Sequence, residues 1–155
     1  MGAFYKIELG EGVSFSLEAF SGMTCNSINI PKSYKGSLGY FSYIPFISIP
    51  RGIETLPSFK NSKVEILSLP NTISSTPSNC FSGCSLLQNI FLSGVTNTYE
   101  MFSACAQLQK IYLPSEYSFQ YGMFKLCGLR RFIIKEGVTS LPGSLFQSSN
   151  IEYVK

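Results

Sequence analysis

Apolar residues recur along this chain in one six-residue phrase, apolar-x-x-apolar-x-apolar. It runs Phe4-Tyr5-Lys6-Ile7-Glu8-Leu9, then Cys25 to Ile30 about Ile28, Ile44 to Ile49 about Ile47, and Val64 to Leu69 about Leu67. It continues with Leu87 to Leu92 about Ile90, Leu108 to Leu113 about Ile111, Leu129 to Ile134 about Phe132, and a shortened Ile151-Glu152-Tyr153-Val154-Lys155. The central apolar position advances by 21, 19, 20, 23, 21, 21 and 22 residues. A second marker keeps the same period: Phe20, Phe41, Phe59, Phe81, Phe102, Phe124 and Phe146 each precede a phrase. Proline follows several phrases, at Pro31, Pro50, Pro70 and Pro114, and an apolar residue then opens the next stretch at Val13, Ile53, Ile73, Val95, Tyr117 and Val138.

Apolar-polar-apolar alternation is the mark of a strand that buries one face. One such unit is too short to bury that face alone. Stacked units share a continuous core, so a regular period of this length predicts a solenoid. The expectation is eight short parallel strands centred on Ile7, Ile28, Ile47, Leu67, Ile90, Ile111, Phe132 and Val154, in a single domain over residues 1–155 of about seven repeats of about 21 residues. At the usual strand spacing such a sheet is about 34 Å long. The phenylalanines then stack as a column on the far side of the core. The small residues of Ser78-Asn79-Cys80-Phe81-Ser82-Gly83-Cys84 suit one tight helical turn there. Proline after each strand stops pairing and starts the turn. The fold class is an α/β repeat: a right-handed solenoid with a parallel sheet on one face and short helical turns or loops on the other.

Three stretches carry a resemblance. Phe81-Ser-Gly-Cys84-Ser-Leu-Leu87-Gln-Asn-Ile90-Phe-Leu92, Phe102-Ser-Ala-Cys105-Ala-Gln-Leu108-Gln-Lys-Ile111-Tyr-Leu113-Pro114 and Glu136-Gly-Val138-Thr-Ser-Leu141-Pro142 closely resemble the BspA-like, or Treponema pallidum-type, leucine-rich repeat. The likeness is clearest from Val64 to Lys155 and weakest over 32–62, where turns are shorter. It implies an adhesion and protein-binding solenoid, often secreted or at a cell surface. It brings no shared catalytic site.

Composition narrows the chemistry. The 155 residues are 45% hydrophobic and only 14% charged, which suits a folded chain. The net charge of +3 is spread evenly, 6 basic and 5 acidic residues before residue 78 and 6 and 4 after it, unlike the concentrated basic face of a nucleic-acid binder. Histidine, aspartate and tryptophan are absent, which removes the usual general base and the commonest metal ligand. Neither an enzyme nor a cofactor is expected. No apolar run is long enough to span a bilayer, and the first residues lack the basic-then-apolar order of a secretory signal.

Cys84, Cys105 and Cys127 each stand three residues after a column phenylalanine, where Met23, Ile44, Ser62 and Ser149 stand in other repeats. That equivalence reads as a buried small hydrophobe rather than a metal ligand. Cys25 and Cys80 complete an odd total of five, against a pure disulfide framework. Tyr99, Tyr117, Tyr121 and Tyr153 read as half-buried aromatics with no common row.

The outward strand positions differ along the chain. One column reads Glu8, Asn29, Ser48 and Ser68, then Phe91, Tyr112 and Ile133; Lys110, Arg130, Arg131 and Tyr153 lie beside its apolar half. Exposed aromatics ringed by arginine are typical of interface centres. Phe91, Tyr112, Ile133, Lys110, Arg130, Arg131 and Tyr153 are therefore the candidate contact residues, for a protein partner or a neighbouring copy. The alternative is a building block that packs through solenoid ends, since neither end shows an obvious cap. Either face-to-face or end-to-end association fits the pattern.

Overall fold

The computed structural model describes residues 6–13, 24, 26–34, 43–92, 98–114 and 117–155. Phe20 and Phe41 of the ring column, Cys25 and Val95 lie outside the described residues. Eight short strands fall at the expected places: β1 Lys6–Glu8, β2 Ser27–Asn29, β3 Ile44–Ser48, β4 Val64–Ser68, β5 Asn89–Phe91, β6 Lys110–Tyr112, β7 Arg131–Phe132 and β8 Tyr153–Val154. All pairings between them are parallel and between successive strands. Register holds the central apolar residues in one row, Ile7, Ile28, Ile47, Leu67, Ile90 and Ile111. The chain is a parallel β-solenoid.

The core lies between this row and the return side. Ile28, Ile47, Leu67 and Ile90 are buried, as are Ile44, Val64, Leu87, Leu108 and Leu129 at the start of their phrases. Facing them are Phe59, Phe81, Phe102 and Phe124, all without exposed surface, followed by the half-buried Phe146. Successive rings of this column stack with centroids 5.4, 5.5, 6.0 and 5.6 Å apart.

Among the described residues the return side is built of hydrogen-bonded turns, not helix. Three successive coils turn on two left-handed residues placed two before and two after the phenylalanine. Asn79 and Gly83 flank Phe81, Glu100 and Ala104 flank Phe102, and Gly122 and Leu126 flank Phe124. The amides at these three positions point along the solenoid axis. Asn79, Phe81 and Gly83 donate to Tyr99, Met101 and Ser103 of the next coil, and Glu100, Phe102 and Ala104 donate to Tyr121, Met123 and Lys125. A second ladder thus stitches the coils opposite the sheet and pairs backbone groups that would be costly to bury alone. Left-handed non-glycine residues are costly; Asn79, Glu100, Ala104 and Leu126 are each held by a bond to the following coil.

The cysteines join this ladder. Cys80, Cys84, Cys105 and Cys127 are buried free thiols. Cys84 Sγ donates to the Phe59 carbonyl at 3.0 Å and Cys105 Sγ to the Phe81 carbonyl at 3.1 Å. Burial raises all four pKa values, Cys84 and Cys127 to about 11.

One expectation needs correction. The eight strands form a six-stranded sheet, β1 to β6, and a separate pair, β7 with β8. No backbone hydrogen bond joins β6 to β7. The break falls where β7 carries Phe132 in the inward position that holds Ile or Leu in earlier coils. Phe132 packs on Phe119, Phe124 and Phe146, at centroid distances of 5.7, 5.1 and 5.5 Å. This bulk under the sheet holds the two strands apart, while the opposite ladder runs on unbroken through Glu100, Phe102 and Ala104.

The coils close again upstream of the break. Gly128 N donates to Cys105 O at 3.0 Å, and a Cβ at Gly128 would lie 2.1 Å from Ala106 O. Gly128→Ala is therefore expected to force the coils apart at a cost of about 1–3 kcal/mol. Thermal denaturation checks this; an unchanged melting temperature would mean the backbones do not approach so closely.

Candidate binding face

Strand alternation sends Phe46, Ile66, Phe91 and Tyr112 outward on the sheet. Register pairs Phe46 with Ile66, and Phe91 with Tyr112. The apolar positions shift by two residues between β4 and β5, so they form a diagonal stripe rather than one column. Phe91 and Tyr112 are 53% and 50% exposed, yet their rings lie parallel, 4.2 Å between centroids. The stack fixes two large apolar surfaces in the solvent.

Ile133, 68% exposed, follows β7 on the far side of the break. It does not continue the Phe91–Tyr112 stack as a strand neighbour. Instead Tyr112 and Ile133 line a groove that the break opens. One part of the groove, a cavity of about 690 Å³, is lined by residues including Gln109, Lys110, Arg130, Arg131, Asn150 and Glu152. The adjoining part, about 500 Å³, is lined by residues including Lys110, Tyr112, Tyr117, Arg131, Ile133 and Lys135. Lys110 and Arg131 line both. Among the described residues, four cationic side chains, Lys110, Arg130, Arg131 and Lys135, thus line the groove against one carboxylate, Glu152.

Arg130 and Glu152 form an exposed ion pair at 3.2 Å. Among the described residues no ion pair engages Lys110 or Arg131. Tyr117 forms part of the wall, edge-on to Phe119 at 4.8 Å, and burial pushes its phenol up to about 12. It is a neutral hydrogen-bonding group at physiological pH.

All seven residues singled out in the sequence are exposed. Lys110, Tyr112, Arg130, Arg131 and Ile133 line the groove; Phe91 stacks beside it; Tyr153 pairs with Arg131 on the next strand and stands outside it. The sequence pattern shows Phe46 and Ile66 as outward positions without marking them as contacts. Tyr117 and Lys135 were not marked either, because they sit on return segments that no strand periodicity covers. A row of tyrosines also exists: Tyr99 and Tyr121, each three residues before a column phenylalanine, stack at 5.9 Å and are exposed on the return side. Tyr99 and Tyr121 thus share a repeat position, while Tyr117 and Tyr153 stand elsewhere, so the four have no common row.

The groove and the ring stack beside it present apolar rings and cationic side chains. Residues 40–152 match the profile of the BspA type leucine rich repeat region, in six copies. No curated protein and no solved structure matches the chain.

Proposed function

Since the chain belongs to the BspA-type leucine-rich repeat family, whose repeats are generally protein-interaction modules, we propose that it is a non-catalytic module that holds a protein partner against the strand face around Phe91, Tyr112 and Ile133. The coil is read as right-handed, the hand that parallel strand crossovers adopt. An adhesin-like role in a secreted or surface-exposed protein is the form of this reading that the family suggests.

One observation carries it. Two half-exposed aromatic rings are stacked in parallel beside Lys110 and Arg131, which no carboxylate among the described residues occupies. Coils β1 and β2 place Glu8 and Asn29 at the equivalent position, so the fold does not need bulk there. Exposed apolar surface of this kind is covered in function, and aromatic residues with arginine dominate interface energetics.

Tyr112→Ala and Arg131→Glu are each expected to weaken partner binding by about 2 kcal/mol, roughly thirtyfold. Both positions are exposed, so the melting temperature should hardly move. Binding titrations of the two folded variants, with sedimentation to detect contact between copies, check this. Wild-type affinity in both would reduce the face to well-packed sheet surface and favour the rival reading, association through the solenoid ends.

A further inference from the structure

The break between β6 and β7 is wider than one strand spacing. Paired strands lie about 4.8 Å apart, so one inserted strand separates its neighbours by about 9.6 Å. No Cα of Lys110–Tyr112 comes within 8 Å of a Cα of Arg131–Phe132. The slot is bounded at both ends. Gly128 N bonds to Cys105 O upstream, and downstream the Lys135 ammonium reaches the Pro114 carbonyl at 2.9 Å and the Leu113 carbonyl at 3.4 Å.

Its two walls present backbone groups that other coils pair. Gln88 O accepts from the amides of Gln109 and Lys110, and Arg130 O accepts from those of Glu152 and Tyr153. The equivalent bonds across the break would run from Arg130 N and Arg131 N to Gln109 O, and they are not made. Leu92 N bonds to Tyr112 O, whereas its counterpart Leu113 N has no such partner among the described residues. Unpaired strand edges are templates for another chain. Here two of them face each other across a groove ringed by Lys110, Arg131 and Lys135.

We infer that the slot takes a short, extended, acidic segment of a partner protein as a strand inserted between β6 and β7, with its carboxylates on Lys110 and Arg131. The inference rests on the strand-face reading and adds the mode of binding. Insertion turns the six-stranded and two-stranded sheets into one continuous sheet. About three residues of the ligand pair with the walls, given a rise of about 3.3 Å per residue. Peptide backbone supplies the affinity, and charge selects the sequence.

The probe is a blocked hexapeptide of alternating glutamate and threonine, added to the whole chain and followed by amide hydrogen exchange. The amides of Arg130, Arg131 and Leu113 are expected to exchange freely in the unliganded protein and to slow by about tenfold or more with the peptide. Arg131→Glu should weaken the peptide by about tenfold or more, and N-methylation of alternate peptide amides should abolish binding. Failure of the hexapeptide to bind, equal binding of the N-methylated peptide, or slow exchange of these amides without ligand overturns insertion. The strand-face reading fails separately, if Tyr112→Ala keeps every partner of the wild type. A partner lost in Tyr112→Ala whose complex leaves the three amides exchanging freely overturns insertion alone.

Discussion

Phe102→Ala is expected to unfold much of the solenoid at temperatures where the wild type is intact. Phe102 has no exposed surface, and its ring lies between Phe81 at 5.5 Å and Phe124 at 6.0 Å. Truncating a buried phenylalanine costs about 3–5 kcal/mol, and each stacked neighbour contributes about 0.5–1.5 kcal/mol beyond its buried area. Whole domains are stable by only about 5–15 kcal/mol. In a solenoid each coil supports the next, so a cavity in the middle is felt on both sides. At about 2–4 °C per kcal/mol, the melting temperature should fall by roughly 10 °C or more. Tyr121→Ala, which removes an exposed ring stacked on one neighbour, serves as the control and should cost less than about 1 kcal/mol. Melting within a degree or two of wild type in Phe102→Ala would contradict the ring column.

Stability is also expected to collapse in alkali. Cys80, Cys84, Cys105 and Cys127 are held protonated in the folded chain, first by burial. An unfolded cysteine loses its proton near pH 8.5. Below that pH both states carry the proton and nothing changes. Above it the unfolded state sheds protons that the folded state keeps, so the balance moves toward unfolding as pH rises. For Cys84 and Cys127 the window closes near pH 11, where their folded values lie. At about 1.4 kcal/mol per pH unit, each removes about 3 kcal/mol across it. Denaturant titrations under reducing conditions at pH 7, 9 and 10 check this, with Cys84→Ala/Cys127→Ala as the comparison. That variant should lose less stability between pH 7 and 10 than wild type. Tyr34 and Tyr117, pushed by burial to about 12, act in the same direction at higher pH in both proteins. Parallel curves for wild type and variant would mean the thiols are not buried as described. Thiol reagents should likewise label these cysteines only as the chain unfolds.

The solenoid was legible because its signal is repeated. A single apolar-x-apolar run is ambiguous between strand and buried loop, but the row from Ile7 to Ile111 reproduces one environment six times. The same logic exposed Cys84, Cys105 and Cys127 as core positions. What repetition cannot show is the place where one coil departs from the rest. Phe132 fits the apolar pattern as well as Ile111 does. Only in three dimensions does its ring, crowded by Phe119, Phe124 and Phe146, separate β7 from β6. The columns therefore placed Ile133 beside Tyr112 on one sheet, whereas the two line opposite sides of the break. The return side escaped for another reason. Small residues around Phe81 and Phe102 suit a tight turn of any kind, and left-handed conformations at Gly83 and Ala104 aim the backbone amides at the next coil. Bonding between coils outweighs local preference.

A hydrogen-exchange footprint of the chain bound to its partner tests the proposed binding face most directly. Slowed exchange is expected over 89–92, 110–113 and 130–135, with the return-side turns around Phe81 and Phe102 unchanged. Protection confined to the return side, or to the outer edges at Ile7 and Val154 with the groove exchanging as in the free chain, would contradict it.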